Sequence, residues 1–345
     1  MTRRRTRRRG AARALVTALV CVLAALPARS GAAPGAAAVP DAGASPGHYV
    51  GTFNIYGNIG HRGDAGDWIR DEADAVRDLV PGGMDRWLFI GLQEVCEAQG
   101  ERFAREFGMR IAFVDTGTDC VDGGPYGNAV LFHSAVRMLP PALLPGPDDR
   151  GGERGIVCAV VRAPADRERP GPPVTACSTH LSVGRAKDRE RQAQTEFIHD
   201  DWKPDGVHRL GAEGQVVLAG DLNAPPAARE LDVLYGGADE ADGPREAGPP
   251  YAAPTYDDGR KLDYLFTWGP RNSGRWHGTG IRRTARSDHH FYYGELSTGT
   301  GRGAGERTGR EGTRSPAGPA GTGPTAGADR GPDGRVRRPV RGSGP

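Results

Sequence analysis

The chain has 345 residues, with 45 Lys and Arg against 43 Asp and Glu and five cysteines. That length could hold two average domains, but neither end is composed like folded protein, so one large domain is expected. Removing the 8 Arg and 1 acid up to His48, and the 9 Arg and 4 acids from Thr298 onward, leaves 28 basic and 38 acidic residues, a core near −10. Such a core excludes gripping nucleic acid by bulk positive charge, though not a cleft neutralised locally by metal ions and a few Arg.

Residues 1–38 combine a basic run from Arg3 to Arg9, an apolar stretch from Ala14 to Leu26 and small residues from Ser30 to Ala38. This is the layout of a secretory signal peptide and linker. The apolar stretch is short for a spanning helix, so the mature protein is expected to be exported, monomeric and free of membrane insertion. From 298 to 345 the chain is Gly, Arg, Pro, Thr and Ala with few large apolar residues, and a disordered tail is expected. Residues 48–297 remain for the folded domain. Cys96, Cys120, Cys158 and Cys177 lie within it, an even count that in an exported chain points to two disulfides out of three connectivities. Cys96 with Cys120 and Cys158 with Cys177 are preferred, the second pair joining consecutive strands.

In chain order, Tyr49–Ile55 reads as a strand, and Asn54 interrupts it, where Asn either satisfies itself locally or faces a site. A helix over Asp67–Val80 places Ile69, Ala73, Val76 and Val80 on one stripe. The strand Trp87–Gln93 is apolar enough to be buried on both faces, so Glu94 at its end needs a cation or a hydrogen-bond network. Mg2+ is the natural oxygen-seeking partner, with Mn2+ or Ca2+ as alternatives. A helix over Ala98–Phe107 precedes the strands Gly127–Phe132, which carries Asn128, and Gly155–Ala163, which follows Arg154. The strand Val174–Thr179 delivers His180 to the start of a loop, and a helix is predicted over Gly184–Trp202.

After the strand Gln215–Ala219, Gly220 permits a tight turn that sets Asp221 and Asn223 together on the carboxyl edge of a sheet, where ligands commonly bind. A helix over Ala227–Leu234 and strands over Leu262–Trp268 and Phe291–Leu296 complete the core, bringing Asp263, Asp288 and His289 to the last strands. A carboxylate that fixes one tautomer of a histidine makes it a better general base. Segments 140–152, 164–173 and 236–254 read as surface loops, and His61, His133 and His199 as surface residues. Strands and helices so mixed imply a layered α/β or α+β sandwich.

The ordered set Phe53-Asn54-Ile55, Gln93-Glu94, Gly127-Asn128-Ala129, Thr179-His180, Gly220-Asp221-Leu222-Asn223, Leu262-Asp263-Tyr264 and Ser287-Asp288-His289 resembles the endonuclease/exonuclease/phosphatase family and spans nearly all of the core. The resemblance implies an α+β fold, a four-layered α/β/β/α sandwich with two mixed β-sheets flanked by helices. It also implies a metal-dependent phosphoester hydrolase. Asn54, Glu94 and Asp288 would serve the metal, His180 and Asn223 the phosphate oxygens and Asp221 the attacking water. His289 would be held by Asp263, with Arg154 and Asn128 contacting substrate. One departure is His290-Phe-Tyr-Tyr, where many members carry a small residue and then Pro or Val.

The leading substrate class is nucleic acid, cleaved at phosphodiester bonds. A small-molecule phosphatase would tolerate the acidic core, and a phospholipid or sphingomyelin phosphodiesterase should carry an exposed amphipathic patch. A non-catalytic binding protein on the same fold is disfavoured, since Glu94, His180, Asp221 and His289 are all present.

Overall fold

The computed structural model describes residues 47–146, 153–162, 171–202, 206–235, 245–246, 254–270 and 274–298. The expected signal segment, the tail beyond Thr298 and most of the three expected loops lie outside them. Two sheets form the centre. The first orders its strands β12(Gly274–Arg282), β13(Phe291–Thr298), β1(His48–Asn54), β2(Trp87–Cys96), β4(Pro125–Phe132) and β3(Arg110–Asp119). The second orders β10(Arg245–Glu246), β11(Asp263–Trp268), β9(Gln215–Asp221), β8(Pro173–His180), β7(Gly155–Arg162) and β5(Ala135–Met138), with β6(Ala142–Leu143) also pairing β7. Each sheet holds one parallel pair, β1 with β2 and β8 with β9, among antiparallel neighbours.

Three apolar layers fix the stacking. Val50, Phe89, Val130, Val157, Ala176, Val217 and Leu265 fill the space between the sheets. Phe53, Ile90, Leu92 and Leu131 face outward against Ile69, Ala73 and Val76 of α1(Asp67–Arg77) and Phe103 and Phe107 of α2(Glu97–Phe107). Cys158, Cys177, Val216, Leu218 and Phe266 do the same on the far side, against Ile198, Trp202 and Val207. Because side chains alternate faces along a strand and both faces are covered, the central strands are apolar without a break, as in Trp87-Leu-Phe-Ile. This is the four-layered sandwich that the resemblance implied.

Helix boundaries depart from expectation where the termination signals are weak. The helix predicted over Gly184–Trp202 begins only at α3(Asp188–Glu196), since residues 184–187 form a bend and turn, and it ends in a π-helical turn, Phe197–Asp201. The segment expected at Ala227–Leu234 is a 3-10 turn, Arg229–Leu231, running into the short α5(Asp232–Tyr235). Gly108, at φ +65°, stops α2 where expected, because glycine takes the left-handed C-terminal position without a steric penalty. The strands β3, β5, β6, β10 and β12 and the helix α4(Gly206–Glu213) were not anticipated. His199, expected at the surface, is buried and stacks on His208.

Both preferred disulfides are present, Cys96–Cys120 and Cys158–Cys177. The second joins residues directly opposite each other on β7 and β8.

Candidate active site

The carboxyl ends of both parallel pairs lie together, and the antiparallel neighbours begin there. Asn54, Glu94, His180 and Asp221 therefore come from strand ends, and Asp263 from a strand start directly opposite Asp221. The two halves touch through Asn54, whose side-chain Nδ2 donates to Glu94 Oε1 at 3.2 Å and, across the sheets, to Asp221 Oδ2 at 3.0 Å. Its Oδ1 accepts from the Tyr56 N–H at 3.0 Å. Two carboxylates need donors and one N–H needs an acceptor, which fixes the orientation of the amide. Asn54, expected to share the metal, is thus placed to orient Glu94.

Asp221 is the hub. Its Oδ1 accepts from the Asn223 N–H at 3.0 Å, and its Oδ2 lies 3.3 Å from Nε2 of both His180 and His289. Burial raises its pKa, and the Asp263 carboxylate adds to the shift against the opposing pull of His289 and Asn54. On the other side of His289, Nδ1 is 2.9 Å from Asp263 Oδ2. Burial disfavours the charged imidazole, yet Asp263 and Asp221 outweigh it and hold the His289 pKa above the ordinary histidine value. Lys261, buried over the rings of Tyr264 and Tyr292, donates to the Asp263 carbonyl at 2.9 Å and steadies that strand start.

His180 behaves oppositely. Burial, then Arg154 and His289, push its pKa well below the ordinary value, so it is neutral. Arg154 Nη1 lies 2.9 Å from its Nδ1, and a guanidinium only donates. The Asn223 Nδ2 stands 2.8 Å from its Nε2 and donates to the Leu181 carbonyl at 3.0 Å, so the ring lies between two donors. Asn128 does not reach this group. Its Nδ2 donates to the Gly155 carbonyl at 2.9 Å, locking the residue next to Arg154.

Asp288 is half-buried, with Tyr256 Oη donating to its Oδ2 at 3.2 Å. Ser287 Oγ donates to the Asn54 carbonyl at 2.8 Å and accepts from the His289 N–H at 3.1 Å, tying the Ser287-Asp288-His289 turn to β1. Tyr256 went unnoticed in the sequence; its ring packs edge-on against His289 at 4.7 Å and its hydroxyl pKa is pushed up to about 12 by burial and by Asp288. Only its place shortly before Leu262-Asp263 could have marked it.

The donor chemistry fits a hard divalent cation at Glu94 and Asp288. Burial raises the Glu94 pKa, and Asp288 raises it further against Asn54, His289 and Arg154. Two carboxylates that repel each other at a partly accessible site are what an oxygen-seeking cation relieves. Asp221, Asp263 and His289 are also close enough to bind an ion. There, however, both histidine nitrogens already face carboxylates, and the trio reads as a proton-handling group.

A family model described as the Endonuclease/Exonuclease/phosphatase family matches residues 51–296. Among curated proteins none matches the chain. Among solved structures, the human Nocturnin catalytic domain with bound sulfate anion is similar at 18% identity and a TM-score of 0.52, over 73% of this chain and 94% of that one. The endonuclease/exonuclease/phosphatase from Bacteroides vulgatus is similar at 18% identity and a TM-score of 0.54, over 74% and 100%. A humanized D. rerio TDP2 shows 17% identity and a TM-score of 0.53, over 74% and 100%. At these identities the likeness establishes the fold.

Proposed function

The chain belongs to the endonuclease/exonuclease/phosphatase family and is a hydrolase of phosphoric esters, and from that premise we propose that it is an exported, Mg2+-dependent phosphodiesterase of the nuclease type. The observation that carries the reading is Asp221 Oδ2, which meets Asn54 at 3.0 Å and His180 and His289 at 3.3 Å each. A carboxylate whose pKa is raised, set among donors, suits the removal of a proton from water near neutral pH.

In this reading Asp221 takes the proton of the attacking water as its oxygen bonds to phosphorus and the leaving oxygen departs on the opposite side. His289 Nε2 is too near Asp221 to stand across a phosphorus from it. It therefore serves as a charged donor to a non-bridging oxygen, held by Asp263. The sequence alone suggests a general base at this position; we assign it the donor's role instead, because both flanking carboxylates favour the charged ring. Neutral His180 and Asn223 meet the other phosphoryl oxygen, with Arg154 beside the His180 ring. Fixed donors of this kind act where negative charge grows. A divalent ion at Glu94 and Asp288 would supply Lewis-acid polarisation of a phosphoryl oxygen.

Export is supported by the basic and apolar leader and by the two disulfides, which persist in oxidising compartments. The sulfate held by the Nocturnin catalytic domain is consistent with an anion site on this fold. The test is hydrolysis of plasmid DNA, RNA, sphingomyelin and phosphate monoesters, each with Mg2+ and with excess chelator. Chelator-sensitive cleavage of nucleic acid supports the proposal; cleavage of monoesters alone would replace it with a phosphatase.

A further inference from the structure

Glu94 is not in extended backbone. Its φ is +53°, in the left-handed region that non-glycine residues occupy only where their surroundings impose it. The β2–β4 register slips at this point, between Leu92 and Val95. The slip turns the Glu94 carboxylate out of the strand's alternation and towards Asn54.

The surroundings that impose it converge on Gln99, which is fully buried in the first turn of α2. Its Oε1 accepts from the Cys96 N–H at 3.0 Å, the reciprocal half of a capping box. Its Nε2 donates to the Gly57 carbonyl at 2.9 Å and the Asp64 carbonyl at 3.1 Å. Gly57 in turn donates its N–H to the Glu94 carbonyl at 3.0 Å. A Cβ at Gly57 would lie 2.1 Å from Gln99 Oε1 and 2.7 Å from the Glu94 carbonyl oxygen, so the loop after β1 is pressed directly onto the Glu94 peptide. One amide therefore clamps the end of β2, the start of α2 and the β1–α1 loop around a single residue. A capping box alone would be served equally by Glu; the two additional carbonyls require an N–H donor, and only Gln supplies both.

We propose that Gln99 is a positioning residue for the metal site, holding Glu94 in its left-handed conformation so that the carboxylate meets the cation in one orientation. The inference rests on Glu94 being a metal ligand. Outer-shell partners that orient a ligand typically govern metal affinity by roughly 10- to 100-fold.

The test is calorimetric titration of the full chain with MnCl2 alone, in the absence of substrate, with near-UV circular dichroism to establish folding. Gln99→Met is expected to weaken Mn2+ binding by about tenfold or more. Gln99→Glu keeps the helix cap and adds a negative charge near the cation, which by Coulomb attraction alone would tighten binding; it is expected to weaken it instead. Thr267→Val, which removes the 3.0 Å bond to the Val216 carbonyl at the other end of β11, should lower the melting temperature and leave Mn2+ affinity unchanged. If Glu94→Gln weakens binding while folded Gln99→Met or Gln99→Glu binds like the wild type, the proposal is overturned and the metal site stands. Wild-type affinity in Glu94→Gln would overturn the metal site itself. Failure of both Gln99 variants to fold would make Gln99 a purely structural residue and also overturn the proposal.

Discussion

In the proposed mechanism the hydrogen bond from His289 to the phosphate is one donor among several, yet its loss should be severe. Removing such a donor costs on the order of 10²- to 10³-fold in rate, so His289→Ala should lower kcat by about that factor with an unchanged circular dichroism spectrum. The pH dependence has two limbs. In the same mechanism Asp221 acts as carboxylate, and its pKa is raised by burial and Asp263, so kcat/KM should fall with acid at a pH above the ordinary carboxylate value of about 3.9. The alkaline limb belongs to His289, whose pKa its two carboxylates raise against burial. The same shift is a stability term. It is present in full below the unfolded histidine pKa of about 6.5 and is lost as pH rises through the raised folded value. Asp263→Asn should shrink this loss in denaturant melts taken across that range. Residues such as Asp221 and His180 were legible because each ends an apolar strand where a polar side chain is costly. The left-handed backbone of Glu94 and the hydrogen bonds of Gln99 were not, because they depend on a loop folding back from elsewhere in the chain.

Among the elements, α3 carries the clearest structural load near the site. Arg191, buried, donates from Nε and Nη2 to Glu230 Oε1 at 3.0 and 2.8 Å and from Nη1 to the carbonyls of Ser182 and Gly184. Gln194 accepts from the Ser182 N–H at 3.0 Å. The loop that leaves His180 is therefore held by helix side chains. Truncating one partner strands the other as a buried charge. Arg191→Ala should cost about 3 kcal/mol in denaturant melts, and Arg191→Met with Glu230→Leu should recover most of it. The periodicity of α1 and α2 was readable because each presents one apolar stripe. The strand β3 was missed although Ala112, Val114 and Thr116 alternate inward, since Asp115 and Gly117 look like turn residues. At β12 the mixture of Gly, His and Arg hides the alternation altogether.

For the whole molecule, Cys158–Cys177 closes a segment with a sequence separation of 19, a loop for which chain entropy predicts stabilisation of roughly 3 kcal/mol. Replacing both cysteines by Ala should lower the unfolding free energy by about that amount while leaving metal affinity unchanged, because neither cysteine touches Asp221 or Glu94. The stacking order was readable from strands apolar on both faces, whereas the pairing order was not, since local pattern carries no record of which strand lies beside which.

The second sheet is drawn entirely from residues 135–268, whereas the first takes β1 to β4 from the beginning of the domain and β12 and β13 from its end. His289 stands just before β13, the strand that closes against β1. During synthesis the chain therefore carries Glu94, His180 and Asp221 long before it acquires the donor that completes them. On the reading proposed here, a nascent or prematurely terminated polypeptide is catalytically silent, and the nucleic acid of the producing cell is exposed to the hydrolase only after the last strand has left the ribosome and docked.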